Sequence, residues 1–284
     1  MGLWDSLGGA NKVLDDDLFR RICGVIHDRT GLFFGESSRF FFEKRLDNRL
    51  EALGGMAPAD YMNYLLFDAQ AASEWDALLA LLTTNETYFM REEKQLRCFQ
   101  KDILPALRDR KAGQRIRVWS AGCSSGEEPY SIAILVRESG AVPESQVEIF
   151  ATDINTRVLA KAKEGLYTDN SFRSVDASFK ARWFAEEAPG RFRIREDLRR
   201  RVQFSRFNLF DLDRYSLLTG FDVIFCRNVI IYFDMEAKAK VMERFWEKMA
   251  PGGFLLLGHS ESLISITDRF KLIHLPNDLV YTKA

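Results

Sequence analysis

The residues best suited to chemistry in this sequence stand where apolar runs end. Val118–Tyr130 leaves a strand-like run through Gly122 and Gly126, positions with no side-chain bulk, and enters a stretch of helical periodicity. A ligand could there approach the backbone and meet the free N–H groups of a helix start. Glu127 and Glu128 follow at once, and carboxylates repel anions, so a phosphate is disfavoured and a ligand carrying positive charge fits better. Asp153 stands at the end of the next run, Val147–Phe150, where nucleoside-binding α/β folds accept ribose hydroxyls; Asp153 or Asn155 would equally suit a helix N-cap there. The loop lacks both G-x-G-x-x-G and a phosphate-loop lysine, which disfavours dinucleotides and nucleoside triphosphates. His27, His259 and His274 show no ligand spacing, and no metal site is expected.

These residues need a rigid frame, and the hydrophobic pattern supplies one. Ile116–Trp119, Val147–Phe150, Asp222–Cys226 and Gly253–Leu257 alternate with helical stretches, as in a parallel sheet flanked by helices, with these four runs at its centre. Pro251-Gly252-Gly253 sets the last run off from the helix before it. Between about 172 and 207 the pattern turns to period two: Phe192 and Ile194 alternate with Arg191, Arg193 and Arg195, then Val202 and Phe204 with Arg201 and Gln203, which predicts an antiparallel hairpin in a small β insertion. Upstream, 14–83 is helical. Asp15–Asp17 and Gly31 bound a first helix, and Phe42, Leu46, Leu50 and Leu53 stripe a second over about 38–53. The expected organisation is a helical domain over 1–83 and an α/β domain over 84–284 with a β subdomain at about 172–207.

The 284 residues are 46% hydrophobic, enough for two cores. Lys and Arg total 40 against 41 Asp and Glu, so no global field draws the chain to nucleic acid or an anionic membrane. Cys23, Cys98, Cys123 and Cys226 are scattered without metal-ligand pairing, as reduced thiols would be. Met1–Asp17 has no continuous apolar run and no later stretch is long enough to span a bilayer, so a soluble, cytoplasmic protein is expected.

Four segments, Thr84–Glu92, Trp119–Ser131, Ala151–Asn155 and Phe225–Asp234, resemble in order and interval the chemotaxis receptor methyltransferases, the CheR family, over nearly the whole chain. The resemblance implies an all-α N-terminal domain and a Rossmann-like S-adenosylmethionine methyltransferase domain with a three-stranded antiparallel insertion. It implies transfer of a methyl group from S-adenosyl-L-methionine to receptor glutamates, leaving S-adenosyl-L-homocysteine. By the same resemblance Asn85, Thr87 and Arg91 close over the cofactor, Glu127 or Glu128 faces its aminoacyl end, Asp153 binds its ribose, Asn208 and Leu209 flank the adenine, and Asn228 and Val229 complete the pocket. Arg91 and Tyr232 are the catalytic candidates. Read singly, Asn85 and Thr87 also suit turns and caps, Asn208 a strand-end turn, Asn228 an amide bonded to backbone, and Tyr232 a core aromatic.

The receptor surface in this family is helical and acidic, and Lys44, Arg45 and Arg49 offer a basic docking helix; alternatively they form a solvated face paired with Glu43, Asp47 and Glu51. The segment Ala185–Gly190 is shorter than the glycine-containing loop of relatives that grip a receptor tail peptide, which speaks against tethering there, although an exposed edge still permits strand addition. The arginines at 191, 193, 195, 199, 200, 201 and 206 raise an RNA reading, against the more ordinary one of a basic solvated face. A monomer without nucleic-acid or membrane partners is expected. The alternatives are a methyltransferase for RNA or another substrate, and a non-catalytic S-adenosylmethionine-binding signalling module.

Overall fold

The computed structural model describes residues 14–218 and 220–283, in two compact units that part between Thr84 and Asn85. Most of the N-terminal stretch considered above, up to Val13, lies outside the described residues. The first unit holds α1 (Asp16–Thr30), α2 (Arg39–Ala52), α3 (Pro58–Phe67) and α4 (Ala71–Leu82). The second runs α5 (Glu93–Cys98), a π-helical turn, α6 (Leu104–Lys111), β1 (Ile116–Ala121), α7 (Glu127–Ser139), β2 (Val147–Asp153), α8 (Thr156–Glu164) and β3 (Leu166–Thr168). It continues through α9 (Ala177–Trp183), β4 (Phe184–Ala188), β5 (Arg191–Ile194), α10 (Glu196–Arg199), β6 (Val202–Arg206), β7 (Phe221–Cys226), α11 (Met235–Lys248), β8 (Met249–Leu257), β9 (Phe270–His274) and β10 (Leu279–Lys283).

Local chemistry sets the ends of α1. The Asp15 carboxylate accepts the Leu18 N–H at 2.8 Å, and Gly31, at φ 74°, donates its own N–H to the His27 carbonyl in a left-handed cap. α2 buries Phe42, Leu46 and Leu50 as its stripe requires. Its basic residues depart from the outward-facing docking row expected of them. Arg49 donates Nε and Nη2 to the two oxygens of the buried Glu74 at 2.8 and 2.5 Å, and the Tyr61 hydroxyl adds a third bond at 2.6 Å. Arg45 bonds the Leu81 carbonyl at 2.6 Å with its guanidinium over the Phe41 ring. Lys44 alone of the three is exposed. The acid that captures Arg49 comes from α4, 25 residues away, and not from the α2 acids that sequence spacing suggests.

The main sheet of the second unit has seven strands in the order β6-β2-β1-β7-β8-β10-β9. β6, β2, β1, β7 and β8 are parallel, and β10 is antiparallel to both its neighbours. From β1 the chain builds outward to β2 and β6 on one side and to β7 and β8 on the other, so β1 and β7 flank the switch point where such sheets bind ligands at their carboxyl ends. Every residue of β7 is buried, and Trp119 of β1 packs on Phe207, Phe221 and Phe245 at ring separations of 5.0 to 5.7 Å. Pro251-Gly252-Gly253 falls inside β8 and not before it, as an irregularity in its pairing with β7.

The second sheet has three strands in the order β3-β5-β4, and it corrects the expected hairpin. β5 pairs with β4 and with β3, whereas Val202–Arg206 joins the main sheet in parallel with β2. Alternation at Val202 and Phe204 marks one covered face in either setting and does not name the partner strand. Aromatic rings fill this subdomain: Phe89 lies 4.8 to 5.2 Å from Tyr167, Phe172 and Phe184, and its N–H donates to the Ser171 carbonyl at 2.9 Å. Residue 89 is thereby nailed down, and with it the segment Asn85–Glu92. Among the described residues no helix is long and apolar enough to cross a membrane and no cluster could hold a metal ion.

Candidate active site

The carboxyl ends of five adjacent strands converge with the segment Asn85–Glu92. After β1 the chain turns through Gly122 at φ 82° and Ser124 at φ 49°, and the Gly122 and Cys123 N–H groups donate to the Thr152 carbonyl of β2. A Cβ on Gly122 would collide with the Val229 side chain beyond β7, so a glycine is required for the two loops to touch. Ser124 also donates its hydroxyl to the Asn85 carbonyl at 3.4 Å.

Asp153 ends β2 with its carboxylate between two loops, accepting the Ser124 N–H at 2.8 Å and the Asn155 N–H at 2.9 Å. Burial pushes its carboxyl up, and these backbone donors pull back only part of the rise. Asn155, not Asp153, caps α8, accepting from Arg157 and Val158. Beyond β6, the Phe207 N–H donates to the Asp153 carbonyl, which sets Asn208 and the buried Leu209 beside that strand end. The Asn208 side chain closes a turn onto the Phe210 N–H.

Glu127 and Glu128 open α7 and face different neighbours. Glu127 is buried and accepts the hydroxyls of Ser125 and Ser171 at 2.8 and 2.9 Å. Glu128 accepts the Ser120 hydroxyl at 2.6 Å and Nη1 of Arg227 at 3.2 Å, and keeps 15% of its side chain exposed. Burial raises both carboxyls. Arg227 itself is buried and serves a second acid: Nη2 reaches Glu92 at 3.1 Å and the Arg91 carbonyl at 2.5 Å. Burial is the largest single influence on the Glu92 carboxyl and opposes its charge, but the charge and hydrogen bond of Arg227, with His259 and the Asn228 amide, together hold that carboxyl below its usual range. One guanidinium therefore serves two acids unequally.

Asn228 follows at φ 59° and donates its amide to Glu92 at 3.3 Å. The loop after β8 contributes Glu261, whose carboxylate accepts the N–H groups of Asn228, Val229, Ile231 and Gly258. Arg91 bonds the Glu86 carbonyl and lies 5.8 Å from the Tyr88 ring; no hydrogen bond joins it to Tyr232 among the described residues. Tyr232 ends a short 3-10 turn, half-buried, and Thr87 is half-buried as well. Neither Arg227 nor Glu261 stands out in the sequence. The signals were an arginine directly after a wholly buried strand, and an acid in the turn after Gly258.

A family model described as CheR methyltransferase, SAM binding domain, matches residues 85–279, and one described as CheR methyltransferase, all-alpha domain, matches residues 17–83. The chain belongs to the CheR methyltransferase family. It is 39% identical over 259 residues to chemotaxis protein methyltransferase 2 of Vibrio cholerae, covering 91% of this chain and 90% of that one. The chemotaxis protein methyltransferase of Salmonella typhimurium is 37% identical over 262 residues, with 91% and 88% covered. That of Escherichia coli is 36% identical over 264 residues, with 91% and 89% covered. As a CheR methyltransferase the chain is an S-adenosylmethionine-dependent enzyme with a Rossmann-like catalytic domain. The donor set agrees: Glu92, Glu127, Glu128, Asp153 and Glu261 outnumber Arg91 and Arg227, and an acid surplus at a glycine loop suits a sulfonium and an α-amino group and repels a phosphate.

Proposed function

We propose that this CheR methyltransferase esterifies glutamate side chains on the cytoplasmic domain of methyl-accepting chemotaxis receptors, working in the cytoplasm as a monomer. The observation that supports it best is the acid-rich ring of strand ends at the switch point, in a chain whose relatives are named chemotaxis protein methyltransferases. In this reading Asp153 holds the ribose, Asn208 and Leu209 border the adenine, and Asn85, Thr87, Asn228 and Val229 wall the pocket. Glu128, the more open of the two glutamates, meets the amino group, and Glu127 supports it from behind. Bound there, S-adenosylmethionine would supply a methyl group on a sulfonium, which a carboxylate oxygen takes up with no proton transferred. A substrate glutamate, with a reference pKa of about 4.3, is already ionised at neutral pH, so the chain supplies no general base. Its residues align and desolvate: Arg91 pairs with a carboxylate of substrate or cofactor, and the Tyr232 hydroxyl orients the reacting group.

Incubation with labelled cofactor and receptor cytoplasmic fragments should place base-labile label on the receptor. Label on RNA instead, or binding without transfer, would overturn the assignment. Unchanged turnover in Arg91→Ala would remove that residue from its role. The RNA alternative loses support from ion pairs that occupy at least four of the seven arginines: Arg193 with Glu187, Arg199 and Arg200 with Glu196, and Arg201 with Glu144. For docking, Lys44 is the exposed member of the set Lys44, Arg45 and Arg49, and Lys44→Glu should raise the receptor KM roughly threefold, as rim charges do, with cofactor binding unchanged. Strand addition of a receptor tail peptide at β4 is left to the same receptor assay with the tail removed.

A further inference from the structure

Glu261 lies in the turn after β8 and belongs to none of the four segments that carry the resemblance. Its Oε2 accepts the N–H groups of Asn228 and Gly258, both at 2.7 Å, and its Oε1 those of Val229 at 2.9 Å and Ile231 at 3.3 Å. Three of these donors come from one short stretch after β7, a concave array of amides of the kind that captures anions. Here the captured anion is the chain's own. Asn228 adopts a left-handed conformation at φ 59°, one that asparagine tolerates better than most residues, and the Glu261 carboxylate fixes the loop in it by holding the N–H groups on either side of that turn. Gly258 allows the approach: a Cβ there would stand 2.6 Å from Asn228 Nδ2 and 2.9 Å from both the Asn228 backbone nitrogen and Glu261 Oε2.

We propose that Glu261 is a positioning residue for methyl transfer, acting through the 228–232 loop: it sets Asn228 and Val229 against the cofactor site and holds the turn that ends in Tyr232. The inference rests on the assignment of Asn228, Val229 and Tyr232 given above. A carboxylate is needed because four donors converge on two oxygens. In Glu261→Gln only one oxygen remains, and an NH2 group is turned against amide donors. That variant should exchange the amide hydrogens of 228–231 at least tenfold faster in the ligand-free protein, bind S-adenosylhomocysteine at least fivefold more weakly, and lose at least tenfold in kcat. Glu261→Ala empties the array, so added formate should restore part of the binding and of the amide protection, which no general loss of folding would allow. Ser262→Ala, in the same turn, should stay within twofold on every measure.

Amide exchange and product binding within twofold of the parent protein in Glu261→Gln would overturn the proposal, as would the absence of any formate response in Glu261→Ala. Both readouts are taken without a receptor. A failure of the receptor-glutamate assignment would instead show as absent transfer by the parent protein with the Glu261 effects intact.

Discussion

Arg49 in the helical unit and Arg227 in the catalytic unit are both guanidiniums held by glutamates, and they use the same chemistry to opposite ends. Arg49 meets Glu74 through a two-point fork at 2.8 and 2.5 Å, and the Tyr61 hydroxyl supplies a further donor. One base, one acid and one phenol close the set. Arg227 is divided between Glu92 and Glu128 at 3.1 and 3.2 Å, and its Nε has no partner among the described residues. The first arrangement is saturated and fixes three helices. The second spreads one guanidinium over two acids, and under the proposed function that sharing leaves Glu128 to meet the cationic end of the cofactor.

The sharpest way to break the contrast is Arg227→Met. Removing one partner of a buried charge network costs about 3–5 kcal/mol, so denaturant unfolding should show a loss of that order. Methyl transfer should fall by more than about 100-fold, since Glu92, Glu128 and the Arg91 carbonyl lose their shared anchor. Arg227→Lys should recover little, because an ammonium cannot span three acceptors in one plane. If the lysine variant works normally, the geometry of the fork is irrelevant.

A smaller effect is expected at Glu74→Leu, about 2 kcal/mol from lost charge-assisted hydrogen bonds. Calorimetric binding of S-adenosylhomocysteine should not change. A tenfold loss of binding there would mean that the two networks are not separate devices.

Smallest is Glu127→Gln, where the sign is the test. Burial raises the Glu127 carboxyl, so the native state keeps its proton to higher pH than the unfolded chain does. Above that raised pKa the ionised group costs stability, and the cost fades as pH falls through it. The glutamine variant should therefore melt at the same temperature or higher near pH 7.5, and its advantage should shrink on acidification. A variant that melts lower at pH 7.5, or whose advantage grows on acidification, would contradict the assignment of burial as the dominant cause.

The frame of the site was legible in the sequence wherever one local rule decided the outcome. The caps of α1, the buried runs of β1, β2, β7 and β8 and the glycine loop all follow from spacing within a dozen residues. What was not legible depends on partners far along the chain. Arg49 reads from the sequence as a docking cation, or alternatively as one paired with acids of its own helix, and it is taken by Glu74. Val202–Arg206 reads as a hairpin strand because period two reports one covered face, and its true neighbour is β2. Leu166–Thr168 is too short to register as a strand. Arg227 and Glu261 act on groups brought near only by the order of strands in the sheet, so residue type alone could not single them out.

All four thiols are buried. Burial lifts Cys23 and Cys98 to about 12, and Cys123 and Cys226 well above the usual range, so at neutral pH none offers an appreciable thiolate to an electrophile. Alkylation must then wait for a structural opening. Cys23 lies in the helical unit, whereas Cys123 lies in the glycine loop and Cys226 ends β7. The protein thus carries native clocks, one in the helical unit and two beside the site, whose labelling rates give the opening free energy of each unit without adding a probe.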